Sequence, residues 1–244
     1  MKTKTIYILF ILSLFSCSKE REVDVNILQN YIEDKSNLER DEVIACAASA
    51  KDLSDDTYIF FYPIPSATNI QYFETDGLNV DKNDFKKYHK VVLEKQDVFN
   101  GYLGRFVKEN KIETWCVVTY ESAGKLHVSN PIKLKQITKP TEWTNSAIID
   151  KSSALMPKFS WSDGRIKENA IYFEVITDEK NNLLSGTYTY DKWFQYYKLD
   201  NVVLNVTRDN PPKLINNNEY GFTMMGVSED NWVNLVIQKS FIAN

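Results

Sequence analysis

Leu214-Ile215-Asn216-Asn217-Asn218-Glu219-Tyr220-Gly221-Phe222-Thr223-Met224-Met225-Gly226 is the stretch that decides the fold. A leucine stands six residues before a tyrosine, and Tyr220, Phe222, Met224 and Gly226 then occupy alternate positions. Alternation is the period of a strand with one face turned inward. Glu219–Ser228 and Asn231–Phe241 therefore read as a closing hairpin around Glu229-Asp230. Working upstream, Lys158–Ser162, Ala170–Asp178, Leu183–Tyr190, Trp193–Tyr197 and Val202–Thr207 have strand length and β-branched or aromatic content.

The same rhythm runs through an earlier part of the chain. Val43–Ala48, Tyr58–Pro63, Asn69–Glu74, Lys90–Glu94, Tyr102–Val107, Thr114–Thr119 and Lys125–Lys135 read as strands, with Ala123-Gly124 as a hairpin turn. Asp84-Phe85-Lys86-Lys87-Tyr88 reads as one helical turn on a connection. The charged stretch Lys133–Lys139 runs from the last of these strands into a linker. Regularly spaced short strands in two sets give an all-β chain of two tandem β-sandwiches, over 41–138 and 139–244.

The second set resembles a fibronectin type III domain. Leu214 and Tyr220 match the corner between that family's last two strand pairs, and the resemblance implies a tyrosine hydroxyl reaching back to the loop backbone. Pro157-Lys158-Phe159-Ser160-Trp161 resembles the early strand with its core tryptophan, and Ile171-Tyr172-Phe173-Glu174-Val175-Ile176 resembles the next major strand. The segment 183–200 departs from the family by being longer and more aromatic. In the first set, Trp115–Tyr120 and Ser129-Asn130-Pro131-Ile132-Lys133 resemble the closing strands of an immunoglobulin-like sandwich.

The N-terminus carries a different signal. Lys2 and Lys4 precede an apolar run from Ile6 to Phe15, which ends at Leu14-Phe15-Ser16-Cys17. A positive start, a short apolar core and a small residue before the cut make a secretory leader, and the run is shorter than the roughly 20 residues that span a bilayer. The stretch resembles the lipobox of bacterial lipoproteins. That resemblance implies cleavage of residues 1–16 and lipidation of Cys17, palmitate included, which anchors the chain without a transmembrane helix. Lys19-Glu20-Arg21-Glu22, with no aspartate after Cys17, resembles the export signals of surface lipoproteins in Bacteroidota and implies the outer membrane. Residues 17–40 read as a tether carrying one short helix, with Ile27, Leu28, Tyr31 and Ile32 on one face and Asn26 as its cap.

Losing Lys2 and Lys4 leaves 27 basic against 33 acidic side chains, a net charge of −6. An acidic chain without a Lys/Arg cluster does not draw phosphate backbones, so nucleic acid is excluded as a partner. Cys46 and Cys116 sit in apolar runs and read as small buried hydrophobes, with a disulfide as the lesser alternative. His89 and His127 have no metal-ligating company at short spacing, and both read as solvated. No Gly-rich phosphate loop or nucleophile elbow occurs, and Asp55-Asp56 and Glu229-Asp230 occupy turns. The acidic loop at Asp76, Asp81, Asn83 and Asp84 lacks the EF-hand order. No catalytic residue, metal or cofactor is expected.

The remaining candidate is aromatic. Trp193, Phe194, Tyr196 and Tyr197 crowd into five residues. On a strand Phe194 and Tyr196 share one face while Trp193 and Tyr197 share the other. One face packs the core, and the second either pairs across the sheet or displays rings to a ligand. Trp232, beside the Glu229-Asp230 turn, carries the same ambiguity. The expectation is a membrane-anchored, non-catalytic lipoprotein that serves as a structural or protein-interaction module, or else captures glycans through rings at Trp193, Phe194, Tyr196, Tyr197 and Trp232.

Overall fold

The computed structural model describes residues 23–35, 37–51, 55–109 and 112–244. The leader 1–16, Cys17 and the proposed export signal lie outside the described residues. After helix α1 (Leu28–Glu33), the first unit consists of β1 (Leu38–Val43), β2 (Ala45–Ser49), β3 (Thr57–Phe61), β4 (Thr68–Glu74), β5 (His89–Val91), β6 (Glu94–Val98), β7 (Leu103–Lys108), β8 (Trp115–Ser122), β9 (Lys125–Ser129) and β10 (Ile132–Lys133). The second consists of β11 (Glu142–Thr144), β12 (Ile148–Asp150), β13 (Lys158–Ser160), β14 (Ile171–Thr177), β15 (Leu183–Thr189), β16 (Trp193–Gln195), β17 (Val202–Asn205), β18 (Glu219–Val227) and β19 (Val233–Ile242).

Each unit is a two-sheet sandwich, and the two share one plan. In the first, β1-β9-β8-β4-β5, with β10 added to β8, faces β2-β3-β7-β6. In the second, β11-β19-β18-β14-β15-β17 faces β12-β13-β16. Both open with a strand that changes sheets. β1 runs parallel to β9 before β2 pairs with β3, and β11 runs parallel to β19 before β12 pairs with β13. These short three-residue strands at 142–144 and 148–150 escape a periodicity reading because neither is long enough to alternate.

The expected corner is present. Leu214 is buried, and the Ile215 amide donates to the Tyr220 hydroxyl at 2.9 Å. Trp161 packs edge-on against Tyr172, with centroids 5.5 Å apart. Ala123 and Gly124 have φ values of 50° and 75°, the left-handed pair that a two-residue hairpin turn requires. The expected strand over 90–94 divides instead, β5 joining one sheet and β6 the other.

The tether expected over 17–40 is corrected from Ile27 onward. Leu28, Tyr31 and Ile32 of α1 are buried against Phe73, Tyr88, Val117 and Leu126. β1 then adds to β9. The apolar face was legible, but the surface that covers it comes from residues 40 to 100 positions away. Asn26 does not cap the helix: Ile27 occupies the N-cap position without a side-chain bond, while the Asn26 side chain donates to Asp24.

The two sandwiches share buried surface. Ala48, Phe60, Phe99 and Leu103 of the first form one apolar cluster with Phe173, Val175, Met225 and Val236 of the second. Trp232 goes further. It sits between the second unit's last two strands, yet its indole is fully buried among Ala47, Phe61, Tyr72, Phe106 and Ile132 of the first unit's core. The small side chains of Ala45 and Ala47, on the face of β2 that joins this core, leave room for it. Its Nε1 donates to Lys139 O at 2.7 Å, and the Ala47 amide donates to Asn231 O at 3.0 Å. Around it, the Thr141 hydroxyl donates to Val233 O at 2.8 Å and accepts from the Ser49 amide at 2.8 Å. Cys46 and Cys116 are free and contribute to different clusters.

Emptying the Trp232 pocket is expected to be costly. Trp232→Ala should lower unfolding free energy by about 3–5 kcal/mol, the range for large aromatic truncations in cores. Urea unfolding followed by circular dichroism measures it, and a loss below about 1 kcal/mol, typical of surface substitutions, would contradict the packing.

Candidate functional site

The aromatic segment is placed by β16. Its register sets Phe159 opposite Phe194 and Ser160 opposite Trp193. Phe194 and Tyr196 point inward and are fully buried, with the Tyr196 hydroxyl donating to Pro212 O at 2.6 Å. Trp193 is half-buried, and Lys158 Nζ lies over its ring at 4.1 Å from the centroid. Tyr197 is 47% exposed. The two-faced division therefore holds, but as a ligand surface it shrinks. Phe194, Tyr196 and Trp232 are corrected to core residues, because the sandwich needs their area inside. Among the expected rings only Tyr197 stands open, with Trp193 partly covered by lysine.

Tyr197 adopts φ +69°, a left-handed backbone that bulky residues rarely take. The chain turns there, leaves the β16 sheet, and returns as β17 on the outer edge of β15. This added strand is the structural meaning of the long aromatic segment at 183–200. Val203 and Leu204 on β17 are 48% and 43% exposed, and Tyr190 and Leu199 are exposed nearby.

Between Tyr197–Leu199 and the segment 205–211 runs an open groove of about 620 Å³, floored by Ser185 and Phe194. Its far wall is tied down. The Arg208 amide donates to the Tyr102 hydroxyl at 2.6 Å, and the guanidinium covers the Tyr102 and Tyr62 rings at 4.3 and 5.5 Å. Arg208 Nη2 also donates to Pro63 O at 3.2 Å. One arginine thus closes the groove wall and fastens the second sandwich to the first. Sequence reading missed it, since an arginine in a Thr-Arg-Asp-Asn-Pro turn gives no local hint that two tyrosines 100 or more residues earlier receive it.

The remaining polar groups explain themselves by structure. His89 is exposed, whereas His127 is buried and packs at a tilt against Tyr120 with centroids 5.0 Å apart, so the expected solvation of His127 is corrected. The acidic loop spends its carboxylates on backbone amides, with Asp81 accepting from Asn83 and Asp84 from Lys86. Among the described residues no three His, Cys, Asp or Glu side chains converge as a metal site would need. Lys108, Glu74, Thr114 and Tyr72 form a closed network in the first unit. Burial pushes the Cys46 thiol up to about 12 and raises Cys116 as well, so neither is an activated thiolate.

Glu174 is the outlier. It is 0% exposed, and burial pushes its carboxyl well above the usual range. Thr189 Oγ1 lies 2.9 Å from Glu174 Oε1 and 2.7 Å from Asp191 O. A hydroxyl has one proton and a carbonyl can only accept, so a protonated Glu174 donating to Thr189 satisfies both contacts.

Comparison with known proteins assigns the chain to no family. No family model matches the chain, and no curated protein matches it. Among solved structures, the FN1–FN3 domains of chicken CNTN1 align over 86% of this chain and 69% of theirs, at 11% identity and a TM-score of 0.32. The chicken interferon gamma receptor alpha chain aligns over 83% and 97%, at 10% identity and a TM-score of 0.28. The strand order described above makes the chain all-β, a pair of immunoglobulin-like and fibronectin type III-like sandwiches.

The state of Glu174 predicts a pH signature. Its folded pKa exceeds its unfolded one, so its contribution is complete below the unfolded value and is lost as pH rises toward the folded value. The native slope is at most about −1.4 kcal/mol per pH unit for one proton. Glu174→Gln should flatten the fall in stability above about pH 4.5, the unfolded carboxyl range. Urea midpoints measured at rising pH check this, and a variant that parallels the native protein would refute it.

Proposed function

We propose that this chain is a non-catalytic lipoprotein, held at the outer membrane through Cys17, that works as a rigid protein-interaction module. The observation that carries the reading is the β17 edge. Exposed sheet edges are normally short, charged or covered, because their free backbone groups recruit other strands. Here β17 pairs with β15 on one side, and among the described residues no strand lies on the other. Its Val203 and Leu204 side chains face solvent where charge would be expected. An extended segment of a partner protein can add there as one further strand, with apolar side chains setting specificity.

A further fact supports a binding rather than a chemical role. The strongly perturbed acid, Glu174, is sealed from solvent and cannot meet a substrate. Among the described residues no helix is long and apolar enough to cross a membrane. Domains of this class serve many roles, and the assignment rests on the edge rather than on the fold.

A photo-crosslinking residue at Leu204 tests the reading in intact cells. It should yield a discrete adduct that Val203→Pro abolishes with the circular dichroism unchanged, and Cys17→Ser should move the protein out of the membrane fraction. Adducts no more frequent than from Val92 of the first sandwich, which is still more exposed than Leu204, would contradict it.

A further inference from the structure

We propose that the groove beside Tyr197 is a second, separate site that binds an uncharged saccharide. It shares only Asn205 with the β17 edge, so it stands without the protein-interaction reading. Its volume of about 620 Å³ lies within the several-hundred-Å³ scale of small-ligand sites.

The groove is preformed on both sides. Tyr196, fixed in the core, holds Pro212, and the Tyr102–Arg208 contacts hold the other end of the same loop. Within the loop, the Thr207 hydroxyl accepts from the Gly186 amide at 3.0 Å, and the Thr207 amide donates to Asn205 Oδ1 at 2.9 Å. A ligand entering here orders little of the protein, which lowers the cost of binding. The left-handed turn at Tyr197 costs backbone energy and places an exposed ring at the groove mouth. Such strain in a well-fixed segment is a mark of ligand sites.

The lining selects the ligand class. Tyr197 offers a flat apolar face for the C–H face of a sugar ring. Asn210 and Asp209 supply amide and carboxylate groups within the same loop, where they can meet neighbouring hydroxyls as donor and acceptor. The lining carries both signs, with Lys198 and Arg208 beside Asp209, so a ligand of either single charge meets a like charge in the groove, and the Arg208 guanidinium is already engaged on two tyrosine rings. A purely apolar ligand would leave the amides and the carboxylate desolvated without partners.

The detergent-solubilised mature protein can be tested on an array of neutral oligosaccharides (α-glucan, β-glucan, xylan and mannan fragments), with polygalacturonate fragments and extended peptides alongside. Isothermal titration then follows any hit. The expected result is saturable binding of at least one neutral oligosaccharide that raised salt leaves unchanged. Tyr197→Ala should weaken it by about tenfold or more, the scale of a lost ring contact in a built site. Asn210→Ala should weaken it several-fold, and both substitutions, being on exposed side chains, should leave thermal unfolding unchanged. Binding only of acidic fragments, binding only of peptides, no neutral hit, or an affinity indifferent to Tyr197→Ala would each overturn the proposal. The Leu204 adduct survives Tyr197→Ala if the edge reading is sound, so the two proposals fail separately.

Discussion

The insertion of Trp232 into the neighbouring sandwich is the constraint on which the rest of the molecule depends. The largest side chain of the second unit's hairpin completes the core of the first, and its indole nitrogen is satisfied by the chain that links them. A buried tryptophan forms its contacts only when both bodies are folded and docked. Neither core is whole without the other, so the linker has no freedom to act as a hinge. Packing at interior density makes such an arrangement stiff, since small displacements forfeit many contacts at once.

That stiffness reaches the binding surface by a second route. Trp232 locks one side of the junction, and Arg208, stacked on Tyr102 and Tyr62, locks the other. The arginine also belongs to the groove loop, so docking of the sandwiches and shape of the groove are set by the same residue. Asn100, donating to Lys180 O and Asn182 Oδ1, adds a third tie across the interface. The proposed sites on β17 and beside Tyr197 are therefore carried on a fixed body rather than on a free module. Under the proposed lipid attachment, the orientation of the first sandwich at the membrane would fix that of the second.

Much of the fold was legible because its causes are local. Leu214 and Tyr220 are six residues apart, and the corner they make needs little else. The parity of Trp193, Phe194, Tyr196 and Tyr197 follows from a two-residue repeat and predicts which rings share a face, though not which face turns inward. What escaped was long-range. The segment from Ile27 was read as tether because its flanks are charged and the hydrophobic surface that buries α1 lies at Phe73, Val117 and Leu126. Trp232 stays ambiguous between packing and display in the sequence, because the cavity that receives it is lined by residues about 100 to 185 positions earlier. Arg208 was invisible for the same reason. A periodicity reading places a side chain on a face; it does not say which other unit will cover that face.

The claim that two sandwiches form one cooperative body is tested most directly by scanning calorimetry of the detergent-solubilised protein. A single endotherm is expected, with calorimetric and van't Hoff enthalpies in a ratio of about 1, as for one two-state unit. Two resolved endotherms, or a ratio near ~2, would show independent sandwiches and contradict the account.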